Sequence, residues 1–431
     1  MENMDSNPEI DLCLSGGGFR AALFHLGSIR RLNEFGLLAN LNVISSVSGG
    51  SILNGLLASK WSELEIDASG VISNFDEKIA APMRKFCSTD IRTPVLLGTR
   101  LNPFNWKKLA SDYFSVSAGY LAERMDTLFQ SRHLSNVPPP GNRTPRFVFC
   151  ATNVRTGACW HFHAGTQGRM GDFYTGYCDS GWVKIGAAVA SSAAFPLGFS
   201  AYQLKISDEH SLTRIDPWGK EQPISTKRQH EYQAEVSDIH LLTDGGVYDN
   251  LGVEPVWKRE ALLVSDAGSP FASVRANRQF VIPRLLRALD ISMAQVGALR
   301  KRWLVDQFVT KHKRGALWQI DTILEDFGLP DSKGYSSAIR LLLQGVRTDL
   351  NQFSEGEIAS LENHGYSLAD AAMRSRAKAL WPHTSAPFCW PSEKWSNENE
   401  TGIAEILCKS GDRRILEGIG SYLFGRNESY M

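Results

Sequence analysis

Three short runs in this 431-residue chain bring together residue types that could do chemistry. The first is Gly16-Gly17-Gly18-Phe19-Arg20-Ala21. Consecutive glycines let successive backbone N–H groups turn toward one point, and at a helix start that point also feels the positive end of the dipole. Such a nest binds an anion. The anion is either a pyrophosphate, since Gly16, Gly18 and Ala21 fit G-x-G-x-x-G/A, or the oxyanion of a tetrahedral acyl intermediate. A dinucleotide site needs an acidic residue about 20 positions on to hold the ribose hydroxyls. No Asp or Glu lies between Glu34 and Glu63, so the nucleotide reading loses its support and no cofactor is expected.

The second run, Ser46-Val47-Ser48-Gly49-Gly50, is a G-x-S-x-G elbow with Ser in the first glycine position. A serine lifted onto a strained strand-to-helix turn needs small neighbours two positions away on either side, and Ser46 and Gly50 are small. A nucleophilic serine requires a base. The late histidines His312, His364 and His383 have no strand-end context. The third run, Asp244-Gly245-Gly246, closes the apolar stretch Ile239–Thr243 and would put a carboxylate at the carboxyl edge of a sheet, where ligands bind in open α/β folds. A partly buried carboxylate with a raised pKa can serve as general base without histidine. Asp249 is the rival acid, and Asp-Gly is also a common hairpin turn.

The elements around these runs must present them. Residues 9–15 read as a strand entering the glycines, and Leu23, Leu26, Ile29 and Leu32 carry the apolar spacing of a helix over Phe19–Leu38. Leu41–Val47 and Ile52–Trp61 repeat strand, turn and helix, which argues for a parallel sheet flanked by helices. Further strands are expected at Arg146–Val154, Ala158–His163, Ile239–Thr243, Ala261–Asp266 and Ala316–Ile320, with helices near Tyr120–Gln130 and Gly186–Ala194. Lys205–Ser237 is polar and reads as a surface hairpin or insertion. Beyond Gly268, helices are expected at Arg284–Val309, Glu355–Glu362 and Ser367–Leu380, a linker at 382–400 and a terminal helix at Ile403–Phe424. The expected architecture is α/β, a three-layer sheet over 1–268, with a mainly helical part over 269–381 and a linker plus terminal helix over 382–431.

Composition narrows the classes of function. Forty-six basic residues balance 46 acidic ones, which leaves no net field to draw nucleic acid. The charge-free windows 35–59 and 185–204 reach membrane-spanning length, but their Ser, Gly, Asn and Pro content makes them loops and helix starts around a site. The start of the chain has neither a basic n-region nor an apolar h-region, so no signal peptide is expected. Seven cysteines without a CxxC spacing suit reduced thiols in a cytosolic protein. His161 and His163 alternate along one strand face without other ligands, so they are expected as surface or half-buried residues and no metal site is expected. Between 275 and 314, ten Lys or Arg stand against two acidic residues, with Trp303 and Phe308 among them. Such a helix can lie on an anionic lipid surface, although solvation is the commoner fate.

In that order and spacing, the glycine nest with Arg20, the Ser48 elbow, the Ala/Ser/Pro segment Ala187–Pro196 and Asp244-Gly245-Gly246 resemble the patatin-like phospholipases over about Asp11–Asp266. The resemblance implies a patatin-like sheet and hydrolysis of lipid acyl esters through a Ser–Asp dyad. Ser48 would be the nucleophile and Asp244 the base. Gly16, Gly17 and Gly18 would form the oxyanion hole, supported by Arg20, Ser46, Gly49, Gly50, Gly245 and Gly246. The implied partner is a phospholipid or other acyl lipid, with peripheral membrane contact through 275–314, no nucleic acid and an open oligomeric state. Ala21 and Ser46 depart from the family pattern, which keeps a non-catalytic lipid- or nucleotide-binding module with a degenerate site as the rival reading. The segment 284–380 loosely resembles the C-terminal part of bacterial relatives, some of which are regulated effectors.

Overall fold

The computed structural model describes residues 9–95, 115–196, 198–207, 209–210, 212–221, 239–268, 270 and 281–410. Ten strands form one mixed sheet: β1 Ile10–Leu14, β2 Val43–Val47, β3 Arg146–Asn153, β4 Cys159–His163, β5 Arg169–Asp172, β6 Gly176–Asp179, β7 Tyr202–Lys205, β8 Ile239–Asp244, β9 Ala261–Asp266 and β10 Arg314–Gln319. The order is β10-β9-β1-β2-β3-β4-β5-β6, parallel from β10 to β3 and antiparallel from β3 to β6. Strand β8 pairs antiparallel with β3, and β7 with β8. The strand–turn–helix repeat at the N-terminus stands as expected. The antiparallel half differs from the parallel expectation, and β5, β6 and β7, of four residues each, are too short to leave a periodic signal.

Helices cover both faces of this sheet, which gives the three layers. Helices α1 Gly18–Glu34, α2 Gly49–Lys60, α3 Ala81–Cys87, α4 Ser115–Phe129 and α5 Ile185–Ala193 precede the one-turn α6 Gly246–Asp249. They are followed by α7 Val281–Val309, α8 Ser337–Gln344, α9 Glu355–Arg376 and α10 Glu400–Cys408. The strand side chains alternate: Leu12, Leu14, Ile44, Phe147 and Phe149 enter the larger core, whereas Cys13, Val43, Val47, Val148 and Cys150 face a second core closed by Leu304 and Trp303 of α7.

The sequence expectation of two helices at 355–362 and 367–380 is corrected to the single helix α9. Gly365 looks like a helix breaker in sequence, but it is a contact point. A Cβ there would come 1.8 Å from the carbonyl oxygen of Phe24, and a Cβ on Gly27 would come 1.8 Å from that of Glu362. Helices α1 and α9 thus cross glycine against glycine. Buried ion pairs flank the crossing, with Arg31 on Asp370 at 2.7 Å and Arg30 and Arg84 on Glu362 at 3.0 and 2.7 Å.

Other expectations shift for similar reasons. His163 is buried and His161 partly so, their rings 6.0 Å apart on one face, and burial lowers the pKa of both. The run 382–400, expected as a linker, packs on the body: Arg31 donates to the carbonyls of Ala386 and Pro387, and Asn363 to those of Ser392 and Trp395. The terminal helix is short, α10, and the remainder of that expectation from 411 onward lies outside the described residues, as do 222–238 of the polar insertion. Among the described residues, no helix is long and apolar enough to cross a membrane, and no His, Cys, Asp and Glu cluster could hold a metal ion.

Candidate active site

The edge of β3 brings the second and third runs together. Cys150 of β3 pairs with Val47, the last residue of β2, and its neighbour Ala151 pairs with Asp244, the last residue of β8. The parallel strand β2 and the antiparallel strand β8 therefore meet end to end along one strand edge. Ser48 follows Val47 immediately, so it arrives beside Asp244 although 196 positions separate them. The sequence reading expected the Asp244 carboxylate at the carboxyl edge, and it lies there, but on a strand that enters from the opposite direction.

Ser48 has φ 50° and ψ −116°, a left-handed backbone in a non-glycine residue. Such a conformation costs on the order of 1–3 kcal/mol and persists only where neighbours over-determine it. A ladder of buried hydroxyls does so. The Ser48 N–H donates to Ser192 Oγ at 2.9 Å, and Ser192 Oγ in turn donates to the Cys150 carbonyl at 2.6 Å and contacts Ser51 Oγ at 2.9 Å. Ser51 donates to Ser46 Oγ at 3.0 Å, and Ser46 donates to the Val148 carbonyl, also at 3.0 Å. Asn54 adds a bond to Ser46 Oγ at 2.9 Å. Serine in place of the elbow's first glycine thus has its hydroxyl fully used beneath the turn. Gly49 and Gly50 are required by close approach, since Cβ atoms there would fall 2.0 Å from the Gly18 carbonyl oxygen and 2.6 Å from that of Leu14.

Asp244 is buried and accepts the Gly246 N–H at 2.7 Å. Burial pushes its pKa up to about 6, against the opposing pull of the nearby Ser48 hydroxyl and the Gly246 N–H. Its backbone is braced by α5 and the turn after it: the Asp244 N–H donates to the Ala194 carbonyl at 3.0 Å and the Gly245 N–H to the Ser192 carbonyl at 3.1 Å. Segment 192–194 therefore splints both Ser48 and Asp244. The rival Asp249 is also buried, but its oxygens accept the N–H groups of Leu251, Val253 and Glu254 at 3.0, 2.8 and 3.1 Å, with Arg300 at 3.6 Å. That carboxylate is a turn cap. Of the late histidines, His364 is buried against the Ile320 carbonyl, and among the described residues no histidine hydrogen-bonds Ser48.

The glycine nest abuts the elbow, because a Cβ on Gly16 would lie 3.1 Å from that of Ser48. Gly17 has φ 142° and Gly18 φ 59°. The Gly16 N–H already donates to the Asn250 carbonyl at 3.0 Å, which corrects its place among the expected donors and leaves it a conformational part. The N–H groups of Gly17 and Gly18 have no acceptor among the described residues, and they sit at the N-terminus of α1. Ala21, where the family motif ends in glycine, is buried and tolerated.

Arg20 does not face the site. Buried to 1% exposure, it donates to the carbonyls of Ala267, Gln344 and Val346 at 2.7, 2.9 and 2.8 Å. It thereby clamps the nest to the loop after α8, whose Asp349 carbonyl accepts the Phe19 N–H at 3.0 Å. Phe19 and Phe24 beside the nest are core: Phe19 packs on Phe86 and Phe353, and Phe24 on His364. Ser192, Asn250 and Ser51 are the residues that sequence reasoning did not single out. Only the richness of 187–196 in Ala and Ser hinted at the first.

A family model described as Patatin-like phospholipase matches residues 12–257. No curated protein sequence matches the chain. Among solved structures, human GIVD cytosolic phospholipase A2 is similar at 12% identity and a TM-score of 0.46, over 89% of this chain and 64% of that one. The same enzyme in complex with methyl gamma-linolenyl fluorophosphonate gives 13% and 0.46, over 88% of this chain and 60% of that one. VipD from Legionella pneumophila gives 15% and 0.34, over 86% and 67%. The chain thus spans less than two thirds of the human enzyme's length.

Proposed function

The chain belongs to the patatin-like phospholipase family, and from that premise we propose that it hydrolyses carboxylic esters of membrane lipids with Ser48 as nucleophile and Asp244 as base. The observation that carries this reading is the placement of Ser48, on the strained turn that ends β2, beside a buried, pKa-raised carboxylate at the end of β8. Ser48 Oγ attacks the ester carbonyl while Asp244 takes its proton. The negative charge on the tetrahedral oxygen is met by the Gly17 and Gly18 N–H groups and by the N-terminus of α1. Collapse of that intermediate breaks the ester C–O bond, and Asp244 returns the proton to the departing alcohol. Water, deprotonated by Asp244, then attacks the acyl-serine carbonyl, and Asp244 returns the proton to Ser48 Oγ as the fatty acid is released.

Purified protein incubated with mixed phospholipid micelles is expected to release free fatty acid. Micelles that yield none, across diacyl and lysophospholipid substrates, would leave the non-catalytic reading in place. Ser192 supplies a second test. Ser192→Ala removes the acceptor of the Ser48 N–H, so kcat is expected to fall by about 10- to 100-fold with KM little changed, because the loss is one of nucleophile placement. An unfilled buried donor also costs about 1–3 kcal/mol of stability, read by thermal melting. A kcat equal to the parent's would show that the ladder does not position the serine.

A further inference from the structure

The long helix α7 is anchored at two levels of the sheet, which fixes its direction. Lys301 reaches Asp266 at 3.1 Å and Gln319 at 2.8 Å, the last residues of β9 and β10. Arg300 pairs with Glu254 at 2.9 Å and Asp249 at 3.6 Å, just past Asp244. Arg300 and Lys301, two of the basic residues expected to face a membrane, are thus turned inward by acidic partners. Lys313, four residues past the helix, donates to the Arg259 carbonyl just before β9, and Arg314 pairs with Ala261 at its start. The helix therefore runs down from the carboxyl edge to the amino edge. Its first 19 residues, 281–299, come before the anchor and project about 27 Å beyond the carboxyl edge at 1.5 Å per residue. That edge is the one that carries Ser48 and Asp244.

None of the residues of this projecting half whose burial is described is buried. Instead α7 displays Ile291 at 43%, Leu299 at 59%, Val305 at 47% and Val309 at 75% exposure. With 3.6 residues per turn, Ile291 and Val309 share one azimuth, the exposed Arg302 lies within about 20° of it, Leu299 and Val305 flank it, and Asp306 lies about 60° away. We infer that this outward stripe of α7 is a docking face for an anionic lipid surface, along which the helix lies lengthwise. Exposed aliphatic side chains beside an arginine complement an anionic interface. A second copy of the chain would set the arginine of one stripe near that of its mate. The inference rests on the acyl-hydrolase reading for the substrate's location, but its test does not.

The full chain is sedimented with vesicles of phosphatidylcholine, with and without phosphatidylglycerol, beside a variant carrying Ile291→Asp and Leu299→Asp. Both sites are exposed, and an unchanged thermal melt checks folding, with Leu299→Gln as the milder variant. Partition onto phosphatidylglycerol vesicles is expected to fall about tenfold or more, with hydrolysis of a soluble short-chain ester unchanged. Arg302→Gln is expected to lower partition by about fivefold on the anionic vesicles only. Equal binding by the parent and the double variant overturns the docking face. So does a parent dimer that the substitutions split without changing vesicle binding. A parent that binds vesicles through Leu299 yet cleaves no ester keeps the docking face and refutes the hydrolase reading.

Discussion

Ser48→Ala is expected to abolish ester hydrolysis, by about 10⁴-fold or more, with the fold intact. The hydroxyl is the attacking atom, and nothing else supplies one at that point of the elbow. The fold survives because the ladder beneath the turn uses the Ser48 N–H, not its Oγ, and alanine keeps that N–H on Ser192. Ser48→Gly separates the two roles further. It removes the nucleophile and also relieves the left-handed φ of 50°, so the glycine variant is expected to be inactive yet no less stable, and up to about 1 kcal/mol more stable. Thermal melts of parent, alanine and glycine variants check this beside the activity assay. Activity retained in either variant would mean that another group attacks the ester.

Asp244→Asn carries the second large effect, and it acts in opposite senses on activity and stability. Loss of the general base should lower kcat/KM by about 10³-fold. In the parent, kcat/KM should climb with pH through an inflection at about 6, where Asp244 loses its proton. Burial raises this carboxyl from 3.8 to about 6, so between those values the folded state binds a proton that the unfolded state releases. Stability from this group is therefore fully present at acid pH and declines as pH rises through the window. Above pH 6 the ionised, buried carboxylate costs up to about 3 kcal/mol. Asparagine stays neutral, and its oxygen can accept from both Ser48 and Gly246. The variant should consequently be more stable than the parent by about 1–3 kcal/mol at pH 8, and the gap should close toward pH 4. Urea unfolding at the two pH values measures it. A variant less stable than the parent at pH 8 would mean that the carboxylate is a structural partner.

How much of this was legible beforehand depends on how local each feature is. The turns at Gly16–Gly18 and at Ser48 could be read because a strand, its tight turn and the following helix all leave their pattern within about 20 residues. For the meeting of Ser48 with Asp244, the strand-end context nominated Asp244 beside its rival Asp249, and the family resemblance chose between them. It depends on β2 and β8 sharing one edge of β3, a pairing between segments far apart in the chain. The Ser192 splint was hidden for the same reason, since an alanine-rich helix shows no sign of which serine faces the elbow. Gly365 misled because a glycine that breaks a helix and one that lets two helices touch look alike in sequence. In the basic stretch at 275–314, charge patterning reports cations without their partners: Arg300 and Lys301 turn inward because Asp249, Glu254 and Asp266 arrive from other elements.

The central claim, that Ser48 is an activated nucleophile, is tested most directly by labelling the intact protein with an alkyl fluorophosphonate and locating the adduct by peptide mass spectrometry. A single phosphonylated site is predicted, on the peptide that contains Ser48, forming faster as pH rises through about 6 and absent from Ser48→Ala. A protein that stays unlabelled while folded, or an adduct that persists in Ser48→Ala, would contradict the account.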